Sequence, residues 1–204
     1  MTGKDAIEGF RVNTDRMKKR ANYLLALPLL ACLQGAVVAE VTTDGTVGAA
    51  TALAGPNFDI AATLGQQQGG NLFHSFSAFN IADTESANFS GPAGINNIIS
   101  RVTGGSASNI DGAINSSIAG ANLFMINPGG IIFGPNASLN VGGSFHASTA
   151  GYLVLADGGR FDADTPGNSV LTSAPPSAFG FLGSPAPLSV TDTRLQVANG
   201  RTLT

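Results

Sequence analysis

The chain has 204 residues and a net charge of -3, with 43% hydrophobic but only 11% charged side chains, against a usual charged share of about 25%. That balance excludes a salt-bridged helical body, and a pI near 5.1 excludes the basic field that would hold a nucleic-acid backbone. With 27 Gly, 10 Pro and no Trp, the polar surface has to come from Asn, Ser, Thr and Gly, which is a strand-and-turn composition.

Residues 1–20 are polar and end in Arg16, Lys18, Lys19 and Arg20, whereas residues 21–39 carry no charge. This is the layout of a helical signal peptide, and Val37-Val38-Ala39 places small residues where a signal peptidase cuts, ahead of Glu40. Cleavage after Ala39 is expected. Two alternatives are a membrane anchor, which Pro28 and Gln34 weaken, and acylation of Cys32 in Leu29-Leu30-Ala31-Cys32, where Leu at the second position before the cysteine fits poorly. Cys32 is the only cysteine, so the mature chain has no disulfide.

Residues 40–204 are read as one continuous domain, built from short apolar runs closed by Gly, Asn, Pro or Ser. The runs include 97–99, 110–114, 122–126, 131–133, 139–141 and 151–155, and their apolar centres recur at intervals of about 6 to 13 residues. Three such intervals make one coil of a solenoid. A sandwich or barrel also has short strands, but its outer faces are normally charged. A parallel β-helix stacks coil on coil, so small polar residues form ladders and few charges are needed. At the C-terminus, 188–190, 193–197 and 200–204 look like successive rungs, and the last lacks a polar cap. The chain is therefore expected to be the opening segment of a longer protein, or a truncated copy of one.

Four segments stand out: Asn71 to Ile81 (NLFHSFSAFNI), Ile98 to Gly105 (IISRVTGG), Asn122 to Phe133 (NLFMINPGGIIF) and Gly134 to Thr149 (GPNASLNVGGSFHAST). In order and spacing they resemble the N-terminal secretion domain of the filamentous haemagglutinin family, the exported partner in two-partner secretion. The resemblance covers residues 40 to 190, and Gly129 stands where the family usually has the second Asn of NPNGI. It implies an all-β, right-handed parallel β-helix with an N-terminal cap. It also implies a partner, an outer-membrane pore whose periplasmic receptor domains recognise the chain, and folding outside a Gram-negative-type cell. A host or neighbouring cell surface is the implied target of the whole adhesin.

In the central motif, Asn127, Pro128, Gly129, Gly130 and Ile131, Pro128 presets a turn and the glycines permit the conformation that follows. Its structural reading is a corner; its functional reading is a contact with the transporter. A second cluster, Asn71, His74, Phe76, Phe79 and Asn80, is dense in aromatic residues, which fill a core or cap more readily than they bind a partner.

No cofactor or metal is expected. His74 and His146 are the only histidines, too few for a structural zinc site, and each is read as a packed or hydrogen-bonded strand residue. Asp157, Asp162 and Asp164 fit no calcium loop and read as solvated. The rival function is a carbohydrate-active β-helix enzyme, which needs paired carboxylates and a basic neighbour on one face. Arg101 with Asp111 is the nearest approach to one, and an ordinary surface pair explains it. The chain is thus expected not to be an enzyme.

Overall fold

The computed structural model describes residues 40–204, in which every regular element is a strand except two single-turn 3-10 segments at Ala62–Leu64 and Pro166–Asn168. The expected signal peptide, its cleavage site and Cys32 lie outside the described residues. The strands form a parallel β-solenoid of about four turns.

One wall of the coil stacks β5 (Asn71–Asn80), β7 (Asn97–Val102), β10 (Asn122–Ile126) and β13 (Phe145–Ser148), all parallel and in register. A second wall stacks β3 (Asn57–Ala61), β6 (Ser86–Ser90), β9 (Ala113–Ser116) and β12 (Ser138–Asn140). The third stacks β8 (Ser108–Ile110), β11 (Ile131–Phe133) and β17 (Leu188–Val190). Below the first full rung, β1 (Glu40–Thr43), β2 (Thr51–Ala52) and β4 (Gln66–Gln68) pair antiparallel and form the N-terminal cap.

Side chains in a strand alternate between faces, so every second residue points inward. Leu72, Ile98, Leu123 and Phe145 stack in one inward column, and Phe58, Ala87 and Ile114 in another. Each large side chain buried this way contributes about 1.5–3 kcal/mol. The coils close because their corners are short and polar. Residues one coil apart are separated by 26, 25 and 22 positions along the first wall, a pitch that shortens toward the C-terminus.

The third wall breaks this rhythm, since Ile131 pairs directly with Leu188. Between them the chain leaves the coil and forms β14 (Tyr152–Leu155), β15 (Arg160–Asp162) and β16 (Pro176–Gly180), an antiparallel sheet ordered β15-β14-β16. This excursion packs on the outside of the first wall. A second apolar cluster joins Phe73, Ile99 and Ile126 of the coil to Leu153, Leu155 and Phe161 of the excursion, with the Phe73 and Phe161 rings 5.1 Å apart and edge-on.

Several expectations are corrected here. The outer face of the first wall is apolar and covered, because an inserted sheet shields it from water. The run 110–114 is two strands, β8 and β9, with a corner at Asp111-Gly112 between them. The segments 188–190, 193–197 and 200–204 are successive sides of one turn, not three rungs. Leu188–Val190 pairs with β11, Leu195 and Val197 pack on the core without strand pairing, and Leu203 bridges to Phe145. Asp162 is not solvated: it is 1% exposed, held in β15 of the excursion.

Candidate functional site

The corner Asn127 to Ile131 sits where the first wall passes to the third. Asn127 is wholly buried and its amide is fully used. Its Nδ2 donates to the Ser106 carbonyl at 3.0 Å and to Ser108 Oγ at 2.9 Å, one rung below. Its Oδ1 accepts from the Gly129 amide at 2.8 Å, closing a side-chain turn. The main chain closes a second turn, Gly130 N–H to the Asn127 carbonyl at 3.0 Å, with Gly130 at φ +115°. Only glycine adopts that backbone without strain. Ile131 is buried in the core.

Gly129 has a different reason. A Cβ there would lie 2.7 Å from the Ser106 carbonyl oxygen and 2.8 Å from that of Gly105, so the turn below leaves no room for a side chain. Pro128 is half-exposed, as is Gly129, and is the half-exposed member that carries a side chain. It borders a groove shared with Thr149, Gly151, Asp164, Phe181 and Leu182, of which Phe181 and Leu182 are 50% and 59% exposed.

The second cluster does not join the first. Asn71 is buried and its Nδ2 donates to the carbonyls of Thr172 and Ala174 at 3.0 and 2.7 Å, tying the coil to the excursion. Its Oδ1 accepts from Asn97 Nδ2 at 2.9 Å, and Asn97 Oδ1 accepts from Asn122 Nδ2 at 3.1 Å. Asn122 Oδ1 in turn takes the Ser144 amide at 2.9 Å. This amide ladder climbs the whole wall. Phe76 and Phe79 are core residues with edge-on rings 5.1 Å apart, and Asn80 Oδ1 caps the Asn109 amide at 2.9 Å.

His74 faces into the coil, 0% exposed, with its ring against Phe76 and Phe89. Among the described residues neither ring nitrogen has a hydrogen-bond partner, and burial pushes its pKa down to about 4. Of the two expected readings, packed or hydrogen-bonded, the ring takes the packed one. His146 stacks flat on Phe124 at 4.4 Å on the outer face, and partial burial lowers its pKa as well.

Sequence reasoning missed the Arg101 node. Arg101 is 0% exposed and pairs with no residue at Asp111, whose carboxylate instead accepts from the Asn136 amide at 2.8 Å. Its guanidinium bonds Ser75 Oγ at 2.7 Å, Ser169 Oγ at 2.6 Å, Thr46 Oγ1 at 2.8 Å and the Asp162 carbonyl. It also lies over the Phe161 ring at 4.1 Å. Burial lowers its pKa to about 10, while Asp44 and Asp162 oppose the shift, so it stays cationic at neutral pH. One cation thus joins the cap, two coil strands and the excursion. The signal was present in the sequence, since Arg101 is the one charged residue of the run Asn97–Val102.

Among the described residues no three His, Cys, Asp or Glu side chains gather to hold a metal ion. The family model described as the TPS secretion domain matches residues 36–204. The chain belongs to that family. No curated protein matches it. As a member of the TPS secretion domain family it is an exoprotein of two-partner secretion in Gram-negative bacteria, and the partner such a domain implies is an outer-membrane transporter. The family is a secreted exoprotein module and is not typically enzymatic.

Proposed function

We propose that residues 40–204, freed from a signal peptide cleaved after Ala39, are the recognition and folding module of a β-helical adhesin. Soluble periplasmic domains of the outer-membrane pore read the extended chain, which folds once outside and templates the coil that follows. The adhesin's target is a host or neighbouring cell surface.

The observation that carries this reading is the burial of Asn127. With its amide engaged on both sides, the folded coil offers a partner nothing of that side chain. A transporter reads the Asn127-Pro128 motif before the corner closes, and closing the corner removes the signal. Folding outside the cell then makes export one-way. Templating follows from the parallel walls, because each strand presents a row of main-chain donors and acceptors to the next rung.

Exchanging Asn127 and Pro128 together confuses recognition with folding, because Asn127 is a structural residue. Pro128→Ala alone separates them, since Pro128 has no N–H to lose and is half-exposed. Co-expressed with its transporter, the P128A chain is expected to refold normally in vitro but to be secreted poorly. Normal secretion of P128A, and of every corner variant that still folds, would overturn the recognition role. Turnover of an acidic polysaccharide by the purified chain would favour the enzymatic alternative instead.

A further inference from the structure

The inward column at the middle of the first wall reads His74, Ser100, Met125 and Ala147 from the cap upward. Its lowest member is an ionisable ring in the first full rung, at the place where the cap closes over the coil. Phe76 lies stacked at 6.2 Å and Phe89 edge-on at 5.7 Å. Ser100 occupies the facing position one rung above, and its hydroxyl also has no partner among the described residues. From below, the turn after Leu64 closes so tightly that a Cβ on Gly65 would lie 2.8 Å from His74 Nδ1.

No charged or titratable group faces the ring from any of these elements. β4, β6 and the 62–65 turn contain none, and β5 contains only His74 itself. On β7 the one charged residue, Arg101, lies on the opposite face with Asp44, both bonded to Ser75 Oγ. A proton on His74 would therefore sit in an apolar interior with no counter-charge, which is strongly unfavourable.

We propose that the inward-facing His74 ring makes closure of the first coil conditional on shedding a proton, so that acidic surroundings favour the open, exportable chain. The geometry alone requires the direction, and burial pushes the folded group to about 4 from an ordinary 6.5. Above the unfolded value both states are neutral and His74 costs nothing. As pH falls below it the unfolded chain takes up a proton that the folded coil refuses. The folding equilibrium then shifts about tenfold per pH unit, reaching about 150-fold at the folded value and levelling off at about 300-fold below it.

The whole chain is titrated with urea at pH values from 7.5 to 4.5, in the native form and as His74→Phe and His146→Ala. Phe suits a site already walled by Phe76 and Phe89. Expected is the uptake of close to one proton on unfolding in the native chain, its loss in H74F, and its persistence in H146A. A urea midpoint independent of pH in the native chain, or an unchanged pH dependence in H74F, overturns the proposal. If H74F does not fold at any pH, the His74 ring proton resonance in the native chain decides. A shift that stays flat down to pH 5 supports the latch, and titration near 6.5 in the folded state refutes it.

Discussion

Arg101 donates its Nε–H to Ser75 Oγ across 2.7 Å, from the rung directly above it. Ser75 in turn donates its hydroxyl to Asp44 Oδ2 at 2.6 Å. The serine thus relays between a cation on the coil and an anion in the cap, without a direct ion pair. The remaining guanidinium bonds reach Thr46, Ser169 and the Asp162 carbonyl, so three separate parts of the chain meet on one side chain.

Truncating that side chain strands several polar groups in the interior at once. Arg101→Ala is expected to cost about 3–5 kcal/mol, read as a fall in urea midpoint. The loss is expected to appear in the cap and excursion together, because both lose the same partner.

The amide ladder makes a sharper comparison. Asn97→Ala leaves Asn71 Oδ1 without its donor and Asn122 Nδ2 without its acceptor, and about 1–3 kcal/mol of stability is expected to go with it. Asn140→Ala, at an exposed position of β12, is expected to change stability by less than about 0.5 kcal/mol. Equal effects in thermal denaturation would show that the ladder amides stabilise the fold no more than the exposed Asn140 amide does.

The excursion is held by an apolar cluster of its own. Phe161→Ala removes the ring that meets both Phe73 and Arg101, at an expected cost of about 3–5 kcal/mol. Hydrogen exchange locates the damage: amides of β14–β16 are expected to lose protection before those of β7 and β10, whose inward side belongs to the other core.

Acid acts through Asp44 in a lower window than His74. Burial alone would raise its pKa, but hydrogen bonds from Ser75, the Thr46 amide and hydroxyl, and Thr103 outweigh it and lower the folded value below the ordinary 3.8. The carboxylate therefore supports the fold above that ordinary value, and the support is lost as pH falls through the lower folded one. Asp44→Asn is expected to flatten the pH dependence of stability below pH 4 while leaving the slope above pH 4.5 unchanged. The Asp44 limb is read by extending the urea titrations below pH 4, beneath the range in which His74 is titrated.

By itself the sequence determined the coil. Short apolar runs closed by Gly, Asn and Pro can pair only as short strands, and a surface built from Asn and Ser needs stacking to satisfy its amides, as Asn71, Asn97 and Asn122 do. Those patterns are local, with periods of two residues along a strand and one coil along the chain. What the tertiary structure alone decided is which of those residues lie on covered faces. Phe73, Ile99 and Ile126 look outward yet are buried, Asp162 lies in an apparently solvated loop yet is enclosed, and Arg101 is a cation at an outward position yet fully buried. Each depends on residues 149–187 leaving the coil and folding back over the first wall. Contacts of that kind join residues 61 and 103 positions apart, and no short-range pattern encodes them.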